Sequence, residues 1–147
     1  MNLEKNQISN IVSFFRIVCK LKKIKREGWI HKSKIDSPES VADHSYSTCT
    51  ISMVLADILN LHTERIMKMA NLHDLAESLV GDKMPDSISR EKKALIEGKA
   101  MKIILSKLPG PLREKYLDIW NEYVDNSTDS AKFVHNMDKL ELAVQAK

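Results

Sequence analysis

Five histidines, at 31, 44, 62, 73 and 135, are the residues of this chain best suited to metal or proton chemistry. His73 stands in the run Met69-Ala70-Asn71-Leu72-His73-Asp74-Leu75-Ala76-Glu77. On a helix, His73 and Glu77 lie one turn apart on a shared face, with Asp74 beside them. Burying an imidazole and two carboxylates together is costly without a counter-charge. A divalent cation is the simplest supplier of that charge, and imidazole with carboxylate is a ligand set for a first-row divalent metal. Two adjacent ligands need partners from elsewhere in the chain. His44, in Glu39-Ser40-Val41-Ala42-Asp43-His44-Ser45, is one candidate. Asp138 is another, because it follows Met137 and stands four residues past Val134, near an apolar stripe. Taken singly, each has an ordinary reading: a His-Asp dipeptide arises often by chance, and Asp138 can pair with Lys132 or Lys139.

These residues need helices to position them, and the chain reads at the helical period almost throughout. A first helix is expected from Leu3 to about Lys25, on Ile8, Ile11, Val12, Phe15, Val18, Cys19 and Leu21. Gly28 and Pro38 bracket an irregular stretch long enough to be a working loop. Ser40 and Asp43 fit a capping box opening a second helix to about Asn60, with Val41, Ile51, Val54, Leu55, Ile58 and Leu59 apolar. A third helix, Thr63 to Val80, stops at Gly81 ahead of Pro85. Ser87 or Ser89 caps a fourth running to Leu108, in which Gly98 costs about 1 kcal/mol against Ala. Pro109-Gly110-Pro111 precedes a fifth, Leu112 to Val124, and a last runs from Ser130 to the end. No window reads as a strand, so the expected fold is an all-α bundle of about six helices.

The 147 residues suit one domain spanning 1–147. A chain of this size buries roughly 70% of its unfolded surface and needs neither disulfide nor metal merely to fold. With 23 basic against 20 acidic residues, the net charge of +3 gives no nucleic-acid footprint. A hydrophobic share of 43% excludes disorder, and four Gly and four Pro exclude low-complexity classes. Cys19 and Cys49 lack metal-finger spacing and read as buried free thiols in a reducing compartment. The N-terminus has no apolar leader, and no run approaches a membrane span. A soluble cytoplasmic protein is the expectation.

The order His44, then His73-Asp74, then Asp138 on three helices resembles the HD-domain metal-dependent phosphohydrolases. The wording narrows the match. Pro38-Glu39-Ser40-Val41-Ala42-Asp43-His44-Ser45, His73-Asp74-Leu75-Ala76-Glu77-Ser78-Leu79-Val80-Gly81-Asp82 and Ala131-Lys132-Phe133-Val134-His135-Asn136-Met137-Asp138 resemble the small HD-domain 5'-deoxynucleotidases. Gly28-Trp29 fits the same group, and the resemblance covers about Phe14 to the C-terminus.

The resemblance implies an HD-domain helical bundle with its metal site between helices. His44, His73, Asp74 and Asp138 would hold one divalent ion, with positions open for water and a phosphate oxygen. The cation would lower the pKa of the water that attacks phosphorus and offset phosphoryl charge. Glu77 would be the general acid/base for the water proton. The implied substrate is a deoxyribonucleoside 5'-monophosphate. Asp82 resembles the residue that contacts the sugar hydroxyl, and Trp29 the one over the sugar that helps exclude a 2'-hydroxyl. Arg26 is the candidate phosphate contact, because its guanidinium fork matches phosphate oxygens, with Lys83 as rival. Manganese, iron, cobalt, nickel and zinc all suit two His and two Asp. A homodimer is implied by the family alone.

Two departures stand out. The chain stops nine residues after Asp138, where relatives continue with further helix, and the loop from Trp29 to His44 is about one residue longer than usual. Two other functions remain open at this point. One is hydrolysis of another nucleotide phosphate ester; the other is a metal-stabilised helical interaction protein without turnover. Glu77 beside a complete ligand set argues against the second.

Overall fold

Helix α1 (Lys5–Val18) of the computed structural model, which describes residues 4–33, 36–83 and 88–146, opens on a capping box between Glu4 and Gln7. The helix expected to reach Lys25 instead tightens after Val18 into a 3-10 turn, Cys19–Lys23. That change of winding turns Leu21 into the core and leaves Cys19 exposed, against the buried thiol expected there. The core-facing edge of α1 is Phe14, Ile17 and Val18, while Ile8, Val12 and Phe15 face outward.

The backbone then extends and pairs with the segment preceding the next long helix. Val41 N–H donates to Ile24 O at 2.9 Å and Arg26 N–H to Glu39 O at 3.1 Å, around an isolated antiparallel bridge between Lys25 and Ser40. This pairing sets Arg26 beside the start of the helix that carries His44. Between them lies α2 (Glu27–Ser33), a helix inside the stretch expected to be irregular. Its first N–H groups need acceptors, and Asp82 supplies one: Glu27 N–H donates to Asp82 Oδ2 at 3.0 Å. A partner 55 residues distant thus overrides the local signal of Gly28.

The capping box at Ser40 forms as read. Asp43 N–H donates to Ser40 Oγ at 3.2 Å and Ser40 N–H to Asp43 Oδ2 at 2.9 Å, opening α3 (Val41–Ile58). Its buried face is small and polar, with His44, Thr48, Ser52 and Ala56 successive at helical spacing. Val54, Ile58 and Leu59 are exposed. Small side chains let α3 sit close against α4 (Thr63–Leu72) and against α8 (Asp129–Gln145).

The third helix breaks where the sequence expected continuity. After Leu72 the hydrogen bonds shorten to the i→i+3 pattern: Leu75 N–H to Leu72 O at 3.1 Å and Glu77 N–H to Asp74 O at 3.0 Å. The cause is local. His73 Nδ1 lies 2.6 Å from Ala70 O, the carbonyl that an uninterrupted α-helix would offer to the N–H of Asp74. Helix resumes as α5 (Glu77–Val80) and ends at Gly81, whose φ of 76° is open chiefly to glycine.

Ser89 caps α6 (Arg90–Leu105), which stops before the expected Leu108; Ser87 lies outside the described residues. α7 (Gly110–Asp125) carries Pro111 in its first turn and closes on left-handed Asn126. Thr128 caps α8. α4 contacts α3, α7 and α8, and Ile66, Met69, Met101, Ile104, Ile119 and Val134 are fully buried around it. The fold is all-α, with no strand among the described residues beyond the single bridge. Helices α2 and α5 account for the excess over the expected six.

Candidate active site

The four expected metal ligands meet between α3, the break after α4, and α8. His44 Nε2 lies 3.4 Å from His73 Nε2, 3.7 Å from Asp74 Oδ2 and 3.2 Å from Asp138 Oδ1. His73 Nε2 lies 3.2 Å from Asp74 Oδ2. His44, His73 and Asp74 each offer a ligand atom within 4.8 Å of the other two, and Asp138 joins through His44. Ligand atoms roughly 2.1 Å from one ion stand roughly 3 to 4 Å apart, which is the spacing found.

The donor chemistry fits a cation as well. His44 Nδ1 faces Glu141 Oε2 at 2.7 Å, and His73 Nδ1 faces Ala70 O. Both oxygens accept, so each Nδ1 carries a hydrogen and each Nε2, turned toward the other, is the nitrogen left to bind an ion in place of a proton. Two imidazole lone pairs and two carboxylates aimed at one point are a site for a divalent ion.

The electrostatics follow from the crowding. Burial disfavours charging His73, but Asp74 and then Asp138 more than offset it and raise its pKa to about 9. Burial likewise opposes ionising Asp74, yet His73 and Arg26 hold its carboxyl far below the usual range. Asp138 is lowered too, its desolvation outweighed by its hydrogen bond to His44 and the nearness of His73. Glu77 goes the other way. Burial, with Asp74 and Asp82 nearby, pushes it up to about 10, and Oε2 has no hydrogen-bond partner among the described residues.

These groups line a cleft of about 410 Å³, the size of a small-ligand site. Arg26, Asp82 and Lys83 line it, with Glu77, His73, Asp74 and Asp138. Arg26 Nη1 hydrogen-bonds Asp74 Oδ2 at 3.2 Å, and Asp82 Oδ2 lies 4.0 Å away. Trp29 is not among the described residues that line the cleft; its Nε1–H donates to Glu39 Oε1 at 3.0 Å. Sequence reasoning missed Glu141, Lys93, Glu97 and Tyr123, and gave His135 no role in the site. Glu141 is buried against His44 one helical turn beyond Asp138, a spacing that puts it on the same face but that a solvated glutamate would share. Tyr123 packs edge-on against His73 and stacks on His135, walling the cleft from α7 and α8.

Comparison with known proteins bears on what such a cleft belongs to. A family model described as HD domain matches residues 18–147. The chain belongs to the HD domain family. Among curated proteins, this HD-domain chain is 39% identical over 139 residues to the 5'-deoxynucleotidase HDDC2 of Mus musculus, covering 94% of this chain and 69% of the relative. It is 40% identical over 147 residues to the protein of the same name from Dictyostelium discoideum, covering 95% and 77%. Among solved structures, a conserved hypothetical protein from Pyrococcus furiosus superposes with a TM-score of 0.78 at 31% identity, covering 92% of this chain and 76% of that one.

Proposed function

We propose that this HD-domain protein is a metal-dependent 5'-deoxynucleotidase, formed by residues 1–147 as a single domain. The observation that carries the reading is the convergence of two imidazole Nε2 atoms 3.4 Å apart on two carboxylates, with the protonated Glu77 in the same cleft. The kinship with proteins named 5'-deoxynucleotidase supports the substrate class.

In this reading His44, His73, Asp74 and Asp138 hold one divalent ion of manganese, iron, cobalt, nickel or zinc. Bound there, the ion supplies Lewis acidity and neutralises phosphate charge. Glu77 holds a proton in the cleft and exchanges it with the reacting water or the leaving 5'-oxygen. Arg26 and Lys83 bring positive charge to the phosphate. Asp82 receives the 3'-hydroxyl, and Trp29 bounds the 2' side. The bond from Glu27 N–H to Asp82 Oδ2 supports treating these last two as one unit, since it ties the start of the helix that bears Trp29 to Asp82. The same reading makes the enzyme a cytoplasmic homodimer. No helix among the described residues is long and apolar enough to cross a membrane.

The test is phosphate release from deoxyribonucleoside and ribonucleoside 5'-monophosphates, cyclic nucleotides and hyperphosphorylated nucleotides, with and without chelator. The expected result is release from dAMP above AMP, abolished by chelation and restored by manganese or cobalt. Metal-loaded protein that frees phosphate from none of the deoxynucleotides would overturn the reading.

A further inference from the structure

Five carboxyl groups line the cleft, Asp74, Glu77, Asp82, Glu97 and Asp138, of which Glu77 holds its proton. A phosphomonoester, which carries up to two negative charges, enters such a place only where positive charge is free to meet it. Arg26 reaches the cleft already hydrogen-bonded to Asp74, with Asp82 at 4.0 Å, so the charge it brings to a phosphate is shared with two protein carboxyl groups. Lys93, in the first turns of α6, is placed differently. It lines the same cleft, and among the described residues it pairs with Glu97 one turn on, at 3.5 Å. That is at the long limit of a hydrogen bond, so the ammonium is loosely held on a flexible stem.

We infer that the Lys93 ammonium is a phosphate-binding group of the cleft, only loosely paired with Glu97 and free to turn to a phosphoester. The electrostatics agree. Desolvation opposes the charge on Lys93, but Glu97, Glu77, Asp74 and Asp82 together raise its pKa, so it stays a cation facing the cleft floor. The inference rests on reading the cleft as a phosphomonoester site.

The probe is inorganic phosphate, titrated calorimetrically into the metal-loaded full chain. Lys93→Met should weaken phosphate binding about 10- to 100-fold, the loss expected for one charge-assisted contact. The Lys93 side chain is about a third exposed, so Met is readily accommodated, and equal melting temperatures would confirm the fold. Lys93→Arg should recover most of the affinity. Glu97→Gln removes the ion pair and keeps the ammonium, so it should retain phosphate affinity. With dAMP, Lys93→Met should raise KM in proportion and change kcat much less. A Lys93→Met protein that binds phosphate like the parent overturns the inference. So does a Glu97→Gln protein that loses as much, because the pair would then only shape the wall. A parent that binds phosphate yet leaves dAMP intact would refute the deoxynucleotidase reading, while the calorimetry would still judge Lys93.

Discussion

A carboxyl group buried beside two other carboxylates keeps its proton, and Glu77 is in that position. If that proton takes part in turnover, Glu77→Gln should keep the fold and the metal and lose roughly 10²-fold or more in kcat. Elemental analysis beside phosphate-release kinetics separates the outcomes: lost metal would make Glu77 a ligand, and parental activity would remove it from the reaction. Glu141 invites a second measurement. It fixes the hydrogen on His44 Nδ1 from 2.7 Å, and loss of such an outer partner costs roughly 10- to 100-fold in metal affinity. Glu141→Ala should therefore weaken manganese or cobalt binding by that factor in a chelator competition. Unchanged affinity would reduce the contact to packing. His44, His73, Asp74 and Asp138 were legible because each sits in a distinctive local run. Glu141 was not, since helical spacing alone does not separate a buried glutamate from a solvated one.

At the scale of elements, what sequence foretold were features decided within a few residues: the Ser40–Asp43 box, the stop at Gly81, the start of α6 at Ser89. What it missed depends on partners that spacing does not reveal. The break after Leu72 turns on a ring nitrogen taking a backbone carbonyl, and α2 is capped by Asp82, 55 residues away in sequence. The outward Val54, Ile58 and Leu59 show that an apolar position does not decide a helix's buried face when small residues allow a closer approach. Gly98, inside α6, tests the propensity side of this balance. A Cβ built there would meet only Trp120, its ring 3.9 Å away at ordinary contact distance. Gly98→Ala should therefore stabilise the protein by up to about 1 kcal/mol, read as a higher urea midpoint at unchanged slope. A lower midpoint would mean that α6 and α7 need the gap.

For the whole molecule, the cluster of His44, His73, Asp74 and Asp138, as a metal site, would make stability depend on both protons and metal. Folding raises His73 from 6.5 to about 9, so its contribution is complete below pH 6.5 and is lost as pH rises through 9. Folding raises Glu77 from 4.5 to about 10, so its contribution fades upward from 4.5 in the same direction. Asp74 is lowered instead; its contribution is lost only in acid and is flat near neutrality. Between pH 6.5 and 8 the metal-free folded chain thus binds more protons than the unfolded chain, and its melting temperature should fall as pH rises. A metal ion held by the His73 nitrogen would replace that proton, so proton competition would weaken metal binding at pH 6 and relax toward pH 8. Stabilisation by a ligand grows with its affinity at fixed concentration. The gap between the melting temperatures of manganese-loaded and chelator-stripped protein should therefore widen from pH 6 to pH 8. Thermal scans at fixed total metal read this directly. A gap that stays constant or narrows would mean that the ion does not compete with a proton at His73, and the ligand set would have to be redrawn without it.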